Sequence, residues 1–113
     1  MDVRTFADEL LSALTHTGLF KRVALQAEGP IADGYAYTEG DVVLRFYFNQ
    51  LTGTIAFALI EDQRRIWGID YDNRRGWHVH PKAHPEDHVA IGPLTVGEIV
   101  SRLQTVLANI DKR

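Results

Sequence analysis

The 113-residue sequence contains no cysteine, and this single absence removes disulfides, thiolate metal sites and cysteine nucleophiles together. It fits a reducing compartment, so a cytoplasmic protein is expected. The opening "MDVRTFADELL" lacks the uninterrupted apolar run and the cleavage-like site of a signal peptide, and secretion is not expected. A membrane span is missing as well. The longest uncharged stretch, residues 46–60, is broken by Asn49, Gln50, Thr52 and Gly53 and reads as a hairpin. Neither sign of charge dominates, with 12 basic against 15 acidic residues, so a globally cationic nucleic-acid surface is excluded while a local basic patch is not. Repeats, low-complexity tracts and linkers are absent too. The balance of 45% hydrophobic and 24% charged residues is that of an ordinary globular chain. One domain over residues 1–113 with one core is expected, burying roughly two-thirds of its unfolded surface.

What is present is ordered as helix, strands, helix. Val3, Phe6, Ala7, Leu10, Leu11 and Leu14 recur at the spacing of one helical stripe, with Asp2 placed to cap the start and Gly18 to end it. Near the other end, Thr95 and Glu98 have capping-box spacing, with Leu94 and Ile99 at the two staple positions. Val96, Ile99, Val100, Leu103, Val106, Leu107 and Ile110 then supply an apolar face. Between the helices, apolar and polar residues alternate through "GYAYTEGDVVLRFYF", "TIAFALI", "RRIWGIDYD" and "WHVH", and a further strand around Val23 to Gln26 can join them. The expected fold is a two-layer α+β domain. A meandering antiparallel sheet of five or six strands carries both helices on one face.

Alternation assigns Leu44, Phe46, Phe48, Ile55, Phe57, Leu59, Trp67, Ile69 and Tyr71 to that covered face. Keeping Trp77 and Val79 with them requires an odd connection, for instance residues 72–76, which sets Asp70 opposite His78. The same reasoning pairs Phe57 with Trp67 and Phe46 with Ile55. Two rows on the outer face are then expected, Arg45–Ala56–Gly68–His80 and Tyr47–Thr54–Asp70–His78. Together they form a shallow polar groove with a floor of small residues.

Four of the five histidines fall between Tyr71 and His88, in "YDNRRGWHVHPKAHPEDH", and three chemistries compete for them. Asp70, Asp72, His78 and His80 have the parts of a general acid–base site, and Arg45, Tyr47, Arg74, Arg75 and Lys82 are placed to hold a phosphate or substrate. Alternatively, His78 and His80 with His84 and His88 supply ligands for a divalent metal such as zinc, manganese or nickel, as in a metal-dependent hydrolase. The glutamate that a zinc-protease helix needs after His84 is replaced by Pro85. Third, Val43, Tyr47, Ala56, Ala58, Ile66 and Gly68 make an apolar outer face suited to a homodimer or another protein.

The run "YDN" ending an apolar strand, the His-x-His pair, a further histidine before a proline-containing link, and a closing helix with an early "VGEIV" resemble the TumE-type toxin family of prokaryotic toxin–antitoxin modules. The matching positions are Tyr71, Asp72, Asn73, His78, His80, His88, Pro93 and Glu98, all in the C-terminal half. The resemblance implies a cytoplasmic protein regulated by an antitoxin partner and acting on nucleic acid, with Asp72, His78 and His80 as first suspects.

Overall fold

The computed structural model describes residues 1–81 and 87–110. Helix α1 (Val3–Thr17) is followed by β1 (Phe20–Glu28), β2 (Ile31–Thr38), β3 (Val43–Asn49), β4 (Ile55–Glu61), β5 (Arg64–Asp72), β6 (Gly76–His80) and β7 (Val89–Ala90), and α2 (Val96–Ile110) closes the chain. The strands form one antiparallel meander in chain order. Seven strands exceed the five or six expected. The addition is β7, whose two residues are too short to leave a period-two pattern in the sequence.

Both helices form where the capping chemistry allows. The Asp2 carboxylate accepts the Thr5 backbone N–H at 2.7 Å, and Gly18 ends α1 at φ 67°, where its N–H reaches the Thr15 carbonyl. At α2 the capping box closes reciprocally: Thr95 N–H donates to Glu98 Oε1 at 2.9 Å and Glu98 N–H to Thr95 Oγ1 at 3.1 Å. Phe6, Leu10 and Leu14 of α1 are buried, whereas Leu11 is exposed, because its angular position carries it off the stripe. The buried helix residues meet Leu44, Phe46, Phe48, Phe57, Leu59 and Ile69 in one core, where Phe6 stacks on Phe48 with ring centroids 4.7 Å apart. No helix of the described residues is long and apolar enough to cross a membrane.

The faces are as alternation dictates, but two registers differ by two residues from the expected pairing. Phe46 lies opposite Phe57, not Ile55, and Phe57 lies opposite Ile69, not Trp67. The first difference comes from a tight β3–β4 turn in which Asn49 Oδ1 accepts the Leu51 N–H at 2.9 Å and Gly53 N–H bonds back to the Asn49 carbonyl, extending the ladder to Phe48–Ile55. The second comes from the β4–β5 hairpin. Asp62 and Gln63, both at positive φ, make a two-residue turn that pairs Glu61 with Arg64. Continued without interruption, that register would put Gly68 opposite Phe57 and turn Trp67 and Ile69 to the outside. A bulge where Leu59–Trp67 gives way to Ile60–Arg65 absorbs one residue and returns both to the core. Asp70 pairs with His78 and Gly68 with His80, as expected.

Candidate functional site

The outer face is organised in two rows across the sheet. One is Tyr35–Arg45–Ala58–Gly68–His80, the other Asp33–Tyr47–Ala56–Asp70–His78–Ala90. The expected ends of each row are kept, but Ala58 replaces Ala56 in the first row and Ala56 replaces Thr54 in the second, through the two register differences. A groove of about 370 Å³ lies on this face, lined by Arg45, Tyr47, Thr54, Ala56, Ala58, Arg65, Asp70, Asp72 and Arg75 among others. A neighbouring hollow of about 400 Å³ shares Arg45 and Tyr47 and extends to Asp33 and Tyr35. A larger hollow, about 710 Å³, sits between α1 and α2; His16 is the one imidazole in its lining and no arginine contributes, so it brings no comparable chemistry together.

At the β5–β6 end of the groove, one carboxylate oxygen gathers the polar groups. His80 Nε2 lies 2.9 Å from Asp70 Oδ2 and donates to it, His78 Nε2 lies 3.5 Å away, and Arg65 Nη1 lies at 3.9 Å. His78 and His80 are 3% and 1% exposed, which alternation alone did not anticipate for an outer face. Their burial accompanies a third ring. His88, just ahead of β7, has its centroid 5.1 Å from His78 and 4.4 Å from His80. One potential ligand atom from each of the three lies within 4.8 Å of the others. His88 itself is exposed, and its pKa is held below the ordinary histidine value by desolvation first and then by the charges of His80, Arg75, His78 and Arg65.

The tautomer of His78 follows from its partner. His78 Nδ1 lies 3.1 Å from the Gly76 carbonyl oxygen, which can only accept, so Nδ1 carries the proton and a neutral ring presents a lone pair at Nε2. Among the described residues, that Nε2 is a buried side-chain nitrogen with no hydrogen-bond partner. The 3.5 Å separation from Asp70 is a charge proximity and not a hydrogen bond.

The remaining predicted residues are distributed as follows. Asp72 lines the groove but commits its oxygens to the β5–β6 turn, with Oδ1 accepting the Arg74 and Arg75 N–H groups at 2.9 and 2.7 Å and Oδ2 the Arg75 Nε at 3.3 Å. These bonds, that from the Arg75 backbone above all, keep its carboxyl below the ordinary aspartate value. Arg75 therefore reaches the groove paired with Asp72, while Arg74 is exposed and does not line it. Arg45 is exposed at the groove edge, and Tyr47 is half-buried with its hydroxyl 3.3 Å from Asn49 Nδ2. His84 and Lys82 lie outside the described residues. Of the apolar outer-face set, Val43, Tyr47, Ala56, Ala58 and Ile66 are half-buried and Gly68 is buried in the single chain.

One contributor was not assigned a place at the site from sequence, and a second has a role there that alternation does not show. Arg65 reads there as part of a charged hairpin end, yet the bulge delivers it to the outer face beside Asp70. The signal that locates it is an incompatibility: a two-residue turn at Asp62-Gln63 demands a register that conflicts with the alternation of β5, and only an inserted residue reconciles them. Gly68 is a requirement of close packing and not only a small floor residue, since a Cβ there would stand 2.9 Å from the Phe57 carbonyl oxygen and 3.7 Å from His80 Cδ2. Comparison of the chain with protein-family models, with curated proteins and with solved structures finds no match to any of them.

Proposed function

We propose that the protein binds and hydrolyses phosphodiesters of nucleic acid in the groove on its outer sheet face; the further reading, that it acts as a growth-arresting toxin kept in check by a partner protein, rests on the resemblance to the TumE-type family and not on the geometry. The observation that carries this reading is the meeting of Asp70, backed by two imidazoles, with the arginines of one groove: Arg65 at 3.9 Å from Asp70, and Arg45 and Arg75 in the lining. A cationic border of that kind neutralises a backbone phosphate locally, although the whole chain is acidic. Asp70 is the member of the cluster that faces the groove. Its carboxylate is placed to take a proton from an attacking hydroxyl or water as that oxygen bonds to phosphorus, while the bond to the leaving oxygen breaks and that oxygen takes a proton from solvent. His80 holds the carboxylate in position, and Arg45 and Arg65 offset the charge that builds on the phosphoryl oxygens.

The test is oligonucleotide binding and cleavage with untagged protein. Wild-type protein is expected to bind single-stranded RNA or DNA, with Arg45→Ala lowering affinity and reducing the salt slope by about one charge. Asp70→Asn is expected to bind but not cleave, and to relieve growth arrest on induced expression. Wild-type protein that binds no oligonucleotide at low salt, or an Asp70→Asn variant as active as its parent, would sink the reading.

A further inference from the structure

We propose that His78, His80 and His88 form a binding site for a divalent transition-metal ion of the zinc class, with Asp70 beside them as fourth donor. This goes beyond the phosphodiester reading and does not depend on it, because it stands on the imidazoles themselves.

The argument begins with the mismatch at His78. With its proton on Nδ1, held by the Gly76 carbonyl, the ring turns a lone pair toward the Asp70 carboxylate, itself an acceptor only, at 3.5 Å. Two acceptors facing one another, one of them buried, repel unless a proton or a metal cation lies between them. His78 Nε2 is buried without a hydrogen-bond partner among the described residues, so no protein donor resolves the conflict there. A carbonyl oxygen fixing Nδ1–H while Nε2 is left for coordination is also the support that metal-bound histidines ordinarily have.

The third imidazole distinguishes a metal from a proton. One proton between His78 and Asp70 would satisfy that pair and would give no reason for another ring to be there. Yet His88, eight positions beyond His80 in the sequence, returns to within 4.8 Å of both other rings, measured between candidate ligand atoms. Three imidazoles and a carboxylate, with no thiolate in the chain, suit zinc, cobalt or nickel. In the loaded site His80 takes its other tautomer, with the proton on Nδ1, so that Nε2 faces the ion in place of its hydrogen bond to Asp70. The nitrogens must draw in to roughly 3.3 Å from one another, the edge of a tetrahedron with metal–nitrogen bonds of about 2.0–2.1 Å. His78 and His80 are fixed on one strand, so the exposed His88 is the ligand with room to make that movement. The ion would then fasten the chain ahead of β7 to β6 and set a positive charge behind Asp70, next to the arginine-bordered groove.

The deciding experiment titrates zinc, cobalt or nickel into chelator-stripped, untagged protein, followed by calorimetry, by thermal stability and, for cobalt, by visible absorption. One equivalent is expected, with a rise in Tm that depends on metal concentration and a cobalt spectrum of four-coordinate nitrogen and oxygen ligation. His88→Ala, an exposed position whose change leaves the core intact, is expected to weaken binding by at least about 100-fold, the upper end of what loss of a mere supporting partner costs. His16→Ala on α1 is expected to bind as the parent does. Stripped wild-type protein that takes up none of the three ions in several-fold excess overturns the proposal, as does a His88→Ala variant that binds as tightly as the parent. Nucleic acid is absent from this titration, so failure of the groove to bind an oligonucleotide leaves its outcome unaffected.

Discussion

Replacing Asp70 by alanine removes the acceptor on which the buried His80 Nε2–H is held. The bond is short, 2.9 Å, and charge-assisted, and His80 is 1% exposed while the Asp70 side chain is 22% exposed, so water replaces the lost carboxylate poorly. Depriving a buried donor of its acceptor costs about 1–3 kcal/mol, and the structure places this case near the middle, since the Asp70 side of the pair opens on the groove. For a domain of this length about 2 kcal/mol corresponds to a fall in Tm of roughly 6–10 °C. The measurement is urea unfolding in the presence of chelator, so that no bound ion contributes, for wild type, Asp70→Ala, His80→Phe and the double variant. The cycle isolates the pair. If Asp70 acts on stability through His80, its removal costs little once the imidazole is gone, and the coupling energy is about 1–3 kcal/mol. A coupling within about 0.5 kcal/mol of zero, with an unchanged m-value, would refute the claim that this carboxylate and this ring form a buried pair.

Two further outcomes follow from the fold. Gly68→Val brings a branched side chain against the Phe57 carbonyl and His80, and is expected to destabilise by about 1–3 kcal/mol in thermal or urea unfolding; a neutral effect would mean that β4 and β5 approach less closely than the structure has them. At α2, the hydrogen bonds of Glu98 with Thr95 hold its carboxyl below the ordinary value of 4.5, so its contribution is fully present above that value and is lost as pH falls through the depressed one. Unfolding midpoints of wild type and Glu98→Gln should therefore differ at neutral pH and converge in acid, and a gap that widens in acid would contradict the capping box.

Much of this architecture was legible in the chain. A half-buried strand repeats every two residues and a helix every 3.6, so Phe46, Phe57 and Ile69, or Leu103 and Leu107, declare their sides before any contact is known. Asp2, Gly18, Thr95 and Glu98 mark their helix ends because capping is local chemistry. The pairing of Asp70 with His78 was reached too, since an odd connection between β5 and β6 keeps Trp77 inside and a five-residue one gives the register the structure adopts.

Period two tells a face but not a row. A slip of two residues leaves every side chain on its own side, and for that reason the offsets of β3 on β4 and of β4 on β5 could not be read from alternation. Those offsets depend on turn geometry and on a bulge, and the bulge is what carries Arg65 to Asp70. The burial of His78 and His80, and the return of His88 to meet them, depend on contacts between positions that no periodicity connects. Sequence by itself determined the two helices, the meander and the inner and outer faces, because each rests on local pattern and capping. Only the tertiary structure decided which polar residues stand within reach of one another, because that is a matter of register and of loop closure, and with it the shape of the site.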